Sequence, residues 1–146
     1  MKILFLLFII ISCSTNNFAQ NDTLVVNSNT YLMLKQTIKN DFGSKDTVIR
    51  MYRIENKVRK FLLTHYLYRY ETDCNNEFED IGTIKFKDSF AIFETKFLQK
   101  GSDPIPKKQK QVYKFHENGK LILSSDQVYF NGKWVSSKDF FNNTLK

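Results

Sequence analysis

The chain has 146 residues, 42% of them hydrophobic, 15% aromatic and 25% charged, with a net charge of +7. That is one domain's worth of sequence with enough apolar material for a packed core, which excludes an intrinsically disordered polymer. Five Gly and two Pro exclude collagen-like or Pro-rich character, and two Cys exclude a disulfide framework.

Met1 and Lys2 precede nine unbroken apolar residues, Ile3 to Ile11. At ~1.5 Å per residue this is about 14 Å of helix, too short to cross a hydrocarbon core of roughly 30 Å. A charged start, a short apolar run and small polar residues read as a secretory signal over residues 1–19. Ile10-Ile11-Ser12-Cys13 resembles a bacterial lipobox, where an aliphatic, a permissive and a small residue precede the Cys that receives lipid. The resemblance implies a cut before Cys13, lipid on Cys13, and a lipoprotein anchored to an envelope membrane. A competing site, Asn17-Phe18-Ala19, puts the cut before Gln20 and yields a periplasmic or secreted protein. Either route leaves Cys74 without an intramolecular partner. It lies between Asp73 and Glu77, whose charge disfavours the thiolate that a nucleophile needs.

Residues 20–146 read as a single β-rich domain. Thr30 to Lys39 fits two periods. As a helix it aligns Tyr31, Leu34, Ile38 and Phe42 ahead of Gly43; as a strand it puts Leu32, Leu34 and Ile38 on one face. The strand is preferred, because everything after it is strand. Thr47 to Ile54 turns at Glu55-Asn56-Lys57 into Val58 to Tyr70. That second run is apolar on both sides in its middle, so it should be central and covered twice. Thr83 to Phe86 turns at Lys87-Asp88 into Phe90 to Leu98. Residues 101–108 hold both Pro and form a surface loop. Asn118-Gly119 joins Lys110–His116 to Lys120–Ser124, and Asn131-Gly132 joins Gln127–Phe130 to Lys133–Ser136. Both dipeptides predict type I′ turns with positive φ at the two central residues.

Phe130-Asn131-Gly132-Lys133-Trp134-Val135 resembles the late hairpin of lipocalin-like domains and of nuclear-transport-factor-2-like domains. With the strand count, this gives the expected class: mostly β, an antiparallel β-meander forming a lipocalin-like barrel or a curved sheet. One N-terminal helix is added if Thr30 to Lys39 is helical. The second resemblance implies an α+β alternative that needs several N-terminal helices, and the chain offers at most one.

Catalytic parts are scarce. His65 sits mid-strand among Phe61, Leu63 and Leu67, and His116 precedes a turn, so two His lack the further ligands of a zinc site. Ser124-Ser125-Asp126 has no nucleophile-elbow context. Glu71, Asp73, Glu77, Glu79 and Asp80 form an acidic loop. Asp73-x-Asn75-x-Glu77 begins like a calcium loop, but Phe78 stands where the bend needs Gly and Ile84 where it needs Glu. No catalytic residue, metal ligand or cofactor is assigned.

The basic residues carry more. Without Lys2 the net charge is about +6, and Lys-rich edges also keep strands from aggregating. Arg50, Arg53, Arg59 and Lys60 fall in one hairpin and are candidate anion-binding residues, held on strands where Lys107, Lys108 and Lys110 are read as loop residues. Tyr66, Tyr68 and Tyr70 form a same-face row, suited to cross-strand packing or to sugar binding. Export excludes nucleic acid and leaves anionic lipid, glycan or protein partners. The expected function is a lipid-anchored β domain of the cell envelope with a non-enzymatic binding or structural role. The alternative is a small cavity-based hydrolase or isomerase, which requires a deep pocket converging on His65 and a carboxylate.

Overall fold

The structure, a computed structural model, describes residues 21–72, 76–100 and 105–144. Its strands are β1 (Asn21–Val26), β2 (Asn29–Lys39), β3 (Lys45–Glu55), β4 (Val58–Thr72), β5 (Glu77–Lys87), β6 (Phe90–Lys100), β7 (Lys108–Phe115), β8 (Leu121–Phe130) and β9 (Lys133–Ser136). One helix follows, α1 (Ser137–Thr144). Their order in the sheet is their order in the chain, and each neighbouring pair is antiparallel. This is the expected meander. Thr30 to Lys39 lies in β2, the preferred strand reading, and among the described residues the α+β alternative finds no N-terminal helix to build on. The helix that does form ends the described chain, where the sequence reading placed none.

Of the two expected forms, the sheet takes the curved one and not the barrel. Among the described residues β1 pairs only with β2 and β9 only with β8, and the two edges stay open. Between the long strands β4 and β5 the pairing is short. Their ladder covers only Tyr68 to Thr72 against Glu77 to Ile81. Beyond it the ladder ends, and the halves of the sheet on either side of this corner face each other. Gly82 marks the corner: a Cβ there would stand 1.9 Å from the Tyr66 carbonyl oxygen. Two register shifts in the β3–β4 ladder, beside Leu62 and Leu67, add to the bend.

Folding brings distant strands face to face. β2 and β7 are five positions apart, about 24 Å in a flat sheet. Yet the Tyr31 and Phe115 rings lie 4.7 Å apart. Tyr31, Met33, Ile49 and Met51 from one half meet Ile84, Ala91, Phe93 and Phe115 from the other in one buried cluster. His65 on β4 is buried against Phe93, ring centroids 4.9 Å apart. β4 is therefore an interior strand whose concave side is packed, while Phe61 and Tyr68 remain exposed. The double cover expected for it is not present along its length.

The turns hold the fold shut. Asn27 and Ser28, Asn56 and Lys57, and Asn131 and Gly132 all have positive φ at both central positions, the type I′ signature. The Asn118-Gly119 turn differs: only Gly119 has positive φ, and Gly119 N–H bonds the His116 carbonyl in a wider loop. That loop is clasped by the opposite half-sheet. Asn27 Nδ2 donates to the Phe115 carbonyl (3.0 Å), Asn29 Nδ2 to the Glu117 carbonyl (2.9 Å) and Arg53 Nη1 to the Asn118 carbonyl (2.7 Å).

α1 closes the concave side at β8 and β9. Phe140 is buried with its ring 4.9 Å from Phe130. Ser137 Oγ donates to Asp126 Oδ1 (2.6 Å), a carboxylate that also accepts from Gln109 (2.9 Å) and Gln111 (3.2 Å). Ser124-Ser125-Asp126 is thus part of β8, and its carboxylate is spent on holding the helix.

Candidate functional site

Arg50, Arg53, Arg59 and Lys60 do not form one patch. Arg53 and Lys60 are cross-strand partners, whereas Arg50 is opposite Thr64 and Arg59 opposite Ile54. Strand alternation sends Arg50 and Arg53 to opposite faces of β3. Arg53 is tied to Asn118 and, at 3.2 Å, to Glu55, which also pairs with Lys60. The hydrogen bond from Lys60, with the charges of Arg53 and Lys60, holds Glu55 below the usual carboxylate range. Two of the four candidates therefore already have a carboxylate, and Arg53 serves the clasp.

The lysines expected in a loop are better placed. Lys108 and Lys110 are strand residues of β7, so the contrast between strand arginines and loop lysines does not hold. From β5 to β9 the side chains alternate between the packed concave side and an outer face. The outer face carries Lys85, Lys87, Lys96, Lys100, Lys108, Lys110 and Lys114 against Glu77, Glu79 and Glu94.

One row on this face stands out by register. Tyr68 is opposite Ile81, Ile81 opposite Lys96, Lys96 opposite Lys108, Lys108 opposite Tyr129, and Tyr129 opposite Trp134. Six adjacent strands thus contribute one side chain each, over about 24 Å. Trp134 is 42% exposed, Ile81 38% and Tyr68 36%. The Tyr129 and Trp134 rings meet edge to face at 5.4 Å. Burial raises the Tyr68 pKa, and so do the charge of Glu79 and its hydrogen bond with the phenol. On one side of the row lie Tyr70, Glu79 and Leu98; on the other lie Glu94 and Lys110, 4.0 Å apart. Among the described residues no carboxylate pairs with Lys96 or Lys108.

Trp134 and the lysines were visible in the sequence, but nothing local joins residues 68, 81, 96, 108, 129 and 134. Only the meander register does. Of the tyrosine row, Tyr68 and Tyr70 lie on this outer face, and Tyr66 lies under the Arg69 guanidinium, 5.1 Å from its ring centre.

The other candidates separate. Burial lowers His65 to a pKa of about 4, against a hydrogen bond with the Thr83 backbone, and its Nε2 is buried without a partner. His116 lies elsewhere, in a shallow groove of about 500 Å³ with Asn27, Ser89, Lys114 and Glu117. The acidic segment is mostly strand: Glu71 is opposite Phe78, Tyr70 opposite Glu79, Arg69 opposite Asp80. Burial raises the Asp80 pKa against the pull of Arg69, while Arg69 also pairs with Glu71. Among the described residues no three His, Cys, Asp or Glu side chains could hold a metal ion. Asp73, Cys74 and Asn75 lie outside the described residues, as do Cys13 and the rest of residues 1–20, where a secretory signal is expected. No described helix is long and apolar enough to cross a membrane. No family model matches the chain, and neither a curated protein nor a solved structure matches it.

Proposed function

We propose that the chain is an exported β domain, anchored to an envelope membrane through lipid on Cys13, that binds anionic envelope components without catalysis. The observation that carries this reading is the outer row, in which two exposed lysines lie between aromatic side chains on a rigid sheet. Lysines on neighbouring strands are positioned by the ladder, so a polyanion orders little besides their side-chain ends. The aromatic flanks supply flat apolar surface beside the charge. Arg50 and Arg59 contribute to the overall field, which steers anions at low salt.

The test compares binding of residues 20–146, which carry all nine strands, α1 and the buried core, to soluble polyanions and to anionic vesicles. Binding should weaken between 50 and 500 mM salt, as the Debye length falls from roughly 14 to 4 Å. The double variant Lys96→Glu/Lys108→Glu should bind at least tenfold more weakly. Lys57→Glu/Arg59→Glu makes the same change in net charge on another hairpin and should have a smaller effect. Equal losses from the two pairs, or no binding to any polyanion at low salt, would overturn the proposal.

A further inference from the structure

We infer that the anionic partner is an extended acidic polysaccharide laid across the strands along the row from Tyr68 to Trp134. This rests on the reading that the outer face binds anions, and it names the chemistry that face selects.

Three features point to a linear chain of charged rings. The first is the Lys96–Lys108 pair, directly opposite each other on adjacent strands. Like charges in that position destabilise a sheet, and no described carboxylate forms an ion pair with either lysine. A carboxylate of the ligand seated between them removes that repulsion.

The second is the aromatic side chains at the two ends. Trp134 is braced edge to face by Tyr129, and Tyr68 is held through its bond with Glu79. Their orientation is set before a ligand arrives, so less freedom is lost on binding. A pyranose ring has an apolar C–H face that stacks on such a surface; a peptide carboxylate or a phosphate does not. The row places one side chain every ~4.8 Å, which is comparable to the repeat of an extended pyranose chain.

The third is the width of the site. Same-face neighbours along a strand are about 7 Å apart, so the row is bordered closely by Glu79 on one side and Glu94 on the other. A polymer one ring wide passes between these carboxylates. An anionic bilayer is a plane and would meet both.

The experiment titrates residues 20–146 with polygalacturonate oligomers of graded length, poly-glutamate, neutral dextran, and phosphatidylglycerol vesicles. Polygalacturonate should bind most tightly, with affinity rising with length until the oligomer spans the row. Trp134→Ala and Tyr68→Ala should each weaken polygalacturonate binding by roughly tenfold and leave poly-glutamate within twofold. Melting curves confirm that each variant is folded, and Tyr68→Ala keeps the test open if Trp134→Ala is not. Lys96→Glu/Lys108→Glu should abolish binding to both polyanions. If both aromatic variants bind polygalacturonate normally while the lysine variant fails, the polysaccharide assignment is wrong and the anion-binding reading stands. Preference for vesicles or for poly-glutamate overturns the assignment in the same way. No binding to any polyanion overturns both.

Discussion

Arg53 lies across Gly119: a Cβ added to that glycine would stand 2.3 Å from the Arg53 Cζ, and Arg53 Nη1 donates to the carbonyl of the preceding residue, Asn118. An arginine of β3 thus packs on a turn four ladders away, and the absence of a side chain at residue 119 is what lets it approach. Gly119 also has a φ of +77°. Gly119→Ala should therefore lose stability twice over, by backbone strain and by displacing the guanidinium, roughly 2 kcal/mol or more in total. In an Arg53→Ala background only the backbone part remains. Urea unfolding of the four proteins of that cycle should give a coupling of about 1 kcal/mol. Additive losses would mean that the arginine does not depend on the glycine.

At the corner between β4 and β5 a different outcome is expected. The Cβ of Gly82→Ala would collide with a backbone atom, the Tyr66 carbonyl oxygen, as well as with His65 Nε2 at 2.7 Å. A side chain can swing away, but a carbonyl in the middle of a strand cannot. Gly82→Ala should cost more than 3 kcal/mol, on the order of the largest single-site effects, or prevent folding. Adding His65→Ala should not rescue it. Recovery of soluble, cooperatively melting Gly82→Ala protein at normal stability would contradict the described corner.

His65 gives the fold a pH dependence with a definite sign. Its folded pKa of about 4 lies below the ordinary value of 6.5 because burial disfavours the imidazolium. Above pH 6.5 both folded and unfolded states hold it neutral, and its contribution is at its most favourable. As pH falls from 6.5 to 4 the unfolded state takes up the proton and the folded state does not, so stability is lost, about 3 kcal/mol over that window. Subtracting the stability–pH curve of His65→Leu from that of the parent isolates this contribution from the carboxylates. A flat difference between pH 7 and 4 would show that the imidazole is wet.

What could be read beforehand was what depends on neighbours in sequence. The Asn131-Gly132 turn and the meander order follow from short hairpins with alternating Val, Ile, Tyr and Phe. Residues 30–39 were ambiguous because Leu32, Leu34 and Ile38 satisfy a strand period while Tyr31, Leu34 and Ile38 satisfy a helical one; cross-strand partners in β1 and β3 decide it. The helix was missed because Phe140 buries against Phe130 and Ser137 bonds Asp126, contacts with β8 that a local pattern does not show. Strand counts allow a barrel and a curved sheet alike, because they say nothing of where a ladder stops or whether the edge strands pair. The outer row depends on five successive registers, and one slipped residue would turn Lys96 or Lys108 inward.

The proposed export signal makes its own prediction. Expressed in a bacterium with residues 1–19 intact, the protein should partition into detergent and carry lipid on Cys13. Cys13→Ala should release it or leave it unprocessed. An unmodified product beginning at Gln20, detected by intact mass, would remove the anchor from the proposal and leave the β domain as a free protein.

The last prediction separates a site from a stabilising surface. Residues kept only for the fold lose stability when replaced. Lys96 and Lys108 face each other and neither forms an ion pair among the described residues, so the opposite should hold. Lys108→Glu converts a like-charge pair into an opposite-charge pair, and cross-strand pairs of this kind are worth roughly 0.2–1 kcal/mol. The variant should be more stable than the parent by about that amount at 50 mM salt. The gain should shrink at 500 mM, because exposed charges are screened. Lys108→Gln should fall between the two. Polyanion binding should move the other way in the same series, strongest in the parent and weakest in Lys108→Glu. Stability and binding that fall together across the three proteins would show that Lys108 serves the sheet and not a ligand.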